Sequence, residues 1–138
     1  MKFVKKCFIL SLVIALTCAI TSVNAFPRAS KQIDRCEIGA IRSGGGKITI
    51  SFYIEGTGKM QYLGAESIVI YQESGGNWVE MESYDRYDKG MVGYNTIVLS
   101  KELIFSGEVG KKYKIQAEFF AENASGYESR VKTDFVTA

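Results

Sequence analysis

Apolar and polar residues alternate with a period of two along most of this chain, and clusters of Gly, Asn, Ser and Asp punctuate the alternation at short intervals. Such a period places successive side chains on opposite faces of a strand, so the pattern predicts half-buried β-strands and offers no amphipathic helix. The clearest run is 47–55, where Ile48, Ile50, Phe52 and Ile54 face one way and Thr49, Ser51 and Tyr53 the other. A second run begins at Lys111: Tyr113, Ile115, Ala117, Phe119 and Ala121 form a dry file, while Lys112, Lys114, Gln116 and Glu118 meet water. Phe120 falls on the wet face of that strand, where it reads as an exposed ring.

Seven strands emerge in this way. The first covers 33–41 and ends at a run of three glycines, 44–46, which permits a sharp reversal. The second is 47–55, broken by Gly56-Thr57-Gly58, and a loop through Met60 and Leu63 leads to the third, 67–73. Ser74-Gly75-Gly76-Asn77 is a hairpin signal into the fourth, 78–84. The fifth lies within 94–105 and the sixth runs from Lys111 to the turn at 123–126. The seventh alternates Tyr127, Val131 and Phe135 against Glu128, Arg130, Lys132 and Asp134. Short strands at regular spacing predict an all-β, seven-stranded antiparallel sandwich over 33–138, with a six- or seven-stranded barrel as the other solution.

The first 25 residues stand apart. Lys2, Lys5 and Lys6 precede an apolar run from Cys7 to Ile20, and Val23-Asn24-Ala25 supplies small residues at the positions a signal peptidase reads. Residues 1–25 therefore read as a secretory signal, 26–32 as a short polar lead-in, and the domain as secreted without stable membrane insertion. Cleavage changes the charge. Without the three lysines, 14 basic residues face 15 acidic ones, a net charge of −1 over the remaining 113 residues. A near-neutral domain carries no electrostatic footprint for nucleic acid.

Cys7 and Cys18 leave with the signal, so Cys36 has no partner for an intramolecular disulfide. Asp34, Cys36, Ile38 and Ala40 share one side of the first strand, which makes Cys36 a small core residue; a link to another chain is the alternative.

The segments SIVIYQESGGNWVEM and GEVGKKYKIQAEFFAENASGYES resemble the C to C-prime hairpin and the E to F to G segment of fibronectin type III and related immunoglobulin-like domains. The resemblance implies that the hydroxyl of Tyr113, early in strand F, bonds backbone a few residues upstream, and that Trp78 opens strand C-prime. Tyr113 stands farther from Ala121 than in that family, which implies a strand F one pleat longer. The whole chain, with KITISF, GTGKM, LGAESIVIY and GMVGYN, resembles a group of small exported proteins of gut-dwelling Clostridia and their relatives. That resemblance implies a bacterial source and brings no active site.

The chain contains no His, which excludes Ser-His-Asp and Cys-His schemes and His-based zinc sites. Glu80 with Glu82 and Glu118 with Glu122 are the acid/base options, and both read as solubilising charge. Asp85-x-x-Asp88-x-Gly90 lacks the alternating oxygens of a calcium loop. The expectation is a non-enzymatic module, with no cofactor and no metal, that binds a protein or glycan. Trp78, Tyr84, Tyr87 and Tyr94 are the candidate ligand residues, because rings interleaved with Asp85, Arg86, Asp88 and Asn95 combine apolar area with orienting polar groups. The alternative is a passive structural or self-associating protein. Convergence of those rings on one exposed patch separates the two.

Overall fold

A computed structural model describes residues 31–138; the expected signal, 1–25, and residues 26–30 lie outside them. The described chain is all-β, with six antiparallel strands rather than seven: β1 (Ile33–Gly44), β2 (Lys47–Ser74), β3 (Asn77–Asp85), β4 (Val92–Ser106), β5 (Lys112–Asn123) and β6 (Gly126–Thr137). The predicted second and third strands are one continuous strand, β2. Gly56-Thr57-Gly58 is a bulge and not a turn: against β4 the register jumps from Glu55↔Val98 to Met60↔Thr96, so residues 56–59 swell out of a ladder that then resumes. A Cβ on Gly56 would lie 2.7 Å from the Met60 side chain and 2.8 Å from the Gly58 carbonyl oxygen. Met60 and Leu63, expected in a loop, are strand residues buried in the core.

The length of β2 organises everything else. Along one edge it pairs first with β1 and then with β5; along the other it pairs with β4 and then β3. β6 joins the far side of β5. Sheet and bulge together curl, so that β6 comes to lie beside β1. The hairpins joining β1 to β2 and β2 to β3 use positive φ at Gly45, Gly46, Gly75 and Gly76, the two-residue turn whose twist matches the flanking strands. At the β5–β6 hairpin Asn123 Oδ1 accepts the N–H of Ser125 at 2.8 Å.

Both stretches of β2 feed one core. Phe52 packs on Phe119 with centroids 5.8 Å apart, and Phe105 meets Tyr113 edge-on at 5.3 Å. The file Tyr113, Ile115, Ala117, Phe119 and Ala121 is buried throughout, as its alternation predicts. The hydroxyl of Tyr113 accepts the N–H of Glu108 at 2.7 Å and donates to Gln72 Oε1 at 2.9 Å, the upstream backbone bond that the resemblance implies. Cys36 is buried and free, and burial pushes its thiol pKa up. Its neighbours differ from expectation, because a register shift between Ile33 and Arg35 turns Asp34 out to solvent and puts Ile33 in the core with Cys36.

Candidate functional site

Four strands build one outer surface. Opposite the buried file, the register sets Glu80 of β3, Tyr71 of β2, Lys114 of β5 and Phe135 of β6 in a single cross-strand row. Trp78, two residues before Glu80, lies on the same face opposite Glu73. Its indole reaches along the row to Phe135, with centroids 5.7 Å apart and planes tilted by 49°. Lys114 Nζ sits 4.5 Å from the centroid of Tyr71 and 5.1 Å from that of Trp78, and Lys112 Nζ lies 5.6 Å from that of Phe135. Among the described residues neither lysine forms an ion pair. Tyr71 and Trp78 are half-buried and Phe135 is 51 % exposed. The result is apolar area with two ammonium groups resting on it.

This surface exists because β6 runs against the usual arrangement. Tyr127, Val131 and Phe135 face outward, while Glu128, Arg130, Lys132 and Asp134 lie on the face that continues the buried file of β5. At the other end of the surface Phe120 is fully buried, contrary to the expectation of an exposed ring. It does point away from the core. Tyr127 stacks on it at 6.0 Å, and the Arg86 guanidinium covers it at 4.4 Å while pairing with Glu66 at 3.2 Å.

The four predicted ligand residues do not converge. Trp78 belongs to the surface just described. Tyr84 pairs with Ile68 and turns toward the core side of the edge strand, donating to Glu82 Oε1 at 2.8 Å; burial and that bond push its pKa up to about 12. Tyr87 stands 88 % exposed in the loop after β3, and Tyr94 meets Tyr62 edge-on at 5.6 Å. These four rings thus lie apart, and of them Trp78 joins the outer surface. Tyr71, Lys112, Lys114 and Phe135 escaped a reading by sequence proximity, since Phe135 is far along the chain from Trp78. The available signal was the alternation of β6 itself, which separates its rings from its charges.

Of the acid/base options, Glu118 and Glu122 share the outer face of β5, on either side of Phe120, and Glu80 and Glu82 come apart. A bulge between Ile70 and Tyr71 pairs Tyr71 with Glu80 and Ile70 with Glu82, so the two carboxylates point to opposite faces. Asp85 Oδ1 accepts the N–H of Tyr87 and Asp88 Oδ2 that of Asp85, each at 2.8 Å, so both serve their own turn. A shallow trough of about 610 Å³ crosses β1, β2 and β4 over Gly39, Ser51 and Ser100, with Glu37 and Glu102 at its sides. These carboxylates stand on strands two apart, and the β2 residues paired with them, Tyr53 and Ser51, are two positions apart along the strand. Glu37 is also held by Arg35 at 2.7 Å. Among the described residues no helix is long and apolar enough to cross a membrane. No protein family, curated protein or solved structure matches this chain.

Proposed function

We propose that this chain is an exported, non-enzymatic interaction module with a fibronectin type III-like sandwich, and that it recognises a protein partner through the Tyr71, Trp78, Lys114 and Phe135 surface. Strand order supports the fold reading. β1, the first stretch of β2 and β4 take the places of strands A, B and E, while β3, the second stretch of β2, β5 and β6 take those of C-prime, C, F and G. In that reading B and C are fused into β2. The Tyr113 to Glu108 bond supports it further. The composition of residues 1–25 supports export.

The observation that carries the binding reading is the Lys114 ammonium lying against Tyr71 and Trp78 at once, beside an open Phe135. A sugar stacks on a bare ring face, and here an ammonium occupies two of them. A protein partner instead uses partly buried Trp and Tyr as anchors and places its own polar groups on the cations. The test is a panel of immobilised proteins and glycans probed with the chain, followed by titration of Trp78→Ala and Phe135→Ala. A protein ligand weakened about thirtyfold by each substitution, the scale of a hot-spot residue, supports the reading. Binding indifferent to both, or confined to glycans, overturns it.

A self-associating role is favoured by one different observation. Among the described residues β4 pairs with β2 alone, and it exposes Tyr94, Ile97, Val98 and Ile104. Concentration-dependent sedimentation, lost in Ile97→Lys and kept in Trp78→Ala, is its signature.

A further inference from the structure

The curled sheet closes between β1 and β6, and it closes without a backbone ladder. Among the described residues β1 pairs only with β2, and β6 only with β5. The two strands run in the same direction, since Glu128 and Arg130 meet the start of β1 and Asp134 meets Ala40. Side chains of β6 supply the bonds. Glu128 Oε2 accepts the N–H of Gln32 at 2.6 Å and of Ile33 at 2.9 Å. Arg130 donates to the Ile33 carbonyl at 2.7 Å and holds Glu128 Oε1 at 2.7 Å. Asp134 Oδ2 accepts the N–H of Ala40 at 2.8 Å, and its Oδ1 accepts that of Phe135 at 2.9 Å.

A ladder of amides and carbonyls is indifferent to pH, whereas carboxylate acceptors are not. We propose that the β1–β6 seam is an acid-opened closure: protonation of Glu128 frees the start of β1 from β6 while β1 stays laddered to β2, uncovering Cys36. The charged surroundings favour this direction. Arg130 and Lys132 share the β6 face with the two carboxylates, and β1 contributes Cys36, Glu37 and, past Ala40, Arg42. The residues of β5 paired with this file are Ala121, Phe119, Ala117 and Ile115, none of which titrates. The inner file of the adjoining stretch of β2, Phe52 and Ile54, is equally apolar. Lys132 is exposed and Arg130 partly so, so protonation removes the acceptor of the Gln32 and Ile33 amides together with the counter-charge that Glu128 gives Arg130.

The sign follows from Glu128. Burial works to raise its pKa, but the Ile33 amide, Arg130 and the Gln32 amide outweigh that and hold it below the ordinary glutamate range. A carboxyl depressed in the folded state stabilises the seam fully above its ordinary value and loses that contribution as pH falls through the depressed one.

The experiment uses the full chain and 4,4′-dithiodipyridine, a thiol reagent active in acid, with the Cys36 peptide resolved by mass spectrometry from those of Cys7 and Cys18. Amide exchange over Ile115–Phe119 of β5 reports global unfolding in the same samples. Between pH 7 and pH 3, Cys36 labelling relative to a free-thiol standard is expected to rise at least tenfold while the β5 amides stay protected. Glu128→Gln is expected to raise labelling at pH 7 and to flatten the pH profile. Cys36 closed until β5 itself loses protection overturns the proposal, as does a wild-type profile in Glu128→Gln.

Discussion

Phe119 and Phe120 are neighbours in the chain and both are fully buried, but on opposite faces of β5 and by different means. Phe119 enters the shared core beside Phe52. Phe120 is covered from outside by Tyr127 and by Arg86, itself tied to Glu66. At the other end of the same outer face, Trp78, Tyr71 and Phe135 receive only lysine ammonium groups and stay partly open. The comparison teaches that the outer face closes wherever a loop residue reaches over it. Arg86 comes from the loop between β3 and β4, and among the described residues no such residue spans the Trp78 end. An apolar surface that the fold leaves uncovered is available to a partner.

Substitutions can break this comparison, beginning with the largest effect. Phe119→Ala empties a closed core and is expected to cost about 3–5 kcal/mol in urea unfolding. Tyr113→Phe removes the acceptor of the Glu108 N–H and the donor to Gln72, with an expected loss of about 1–3 kcal/mol by the same measurement. Arg86→Ala uncovers Phe120 and frees Glu66, and is expected to cost about 1–2 kcal/mol. Between Arg86→Ala and Lys114→Ala in size is the Trp78 and Phe135 coupling, about 0.5–1 kcal/mol in a double-mutant cycle on stability, against a much larger loss in partner binding. Lys114→Ala, at the open end, is expected to change stability by about 0.5 kcal/mol or less. An equal loss for Arg86→Ala and Lys114→Ala would erase the distinction between the two ends.

Much of the fold was legible in the chain, and most of the site was not. The dry file of β5, the burial of Cys36 and the glycine hairpins follow from local alternation and φ preference, which are properties of a few adjacent residues. Gly56-Thr57-Gly58 misled because a glycine pair breaks alternation equally in a turn and in a bulge. Only pairing with β4 on the far side of the gap distinguishes the two. The same limit explains Asp34 and the Glu80 and Glu82 pair, each displaced by a single-residue register shift.

By itself the sequence determined an all-β chain, the two apolar files within 47–55 and 113–121 and the absence of histidine chemistry, because strand period and composition act locally. Tertiary structure alone decided that β2 is continuous, that β6 turns its charges toward β1 and its rings outward, and that Trp78 meets Phe135 rather than Tyr84, Tyr87 or Tyr94. The physical reason is that period-two alternation divides a strand into two faces without saying which is the inside. That choice falls to register and curl, which depend on partners far along the chain.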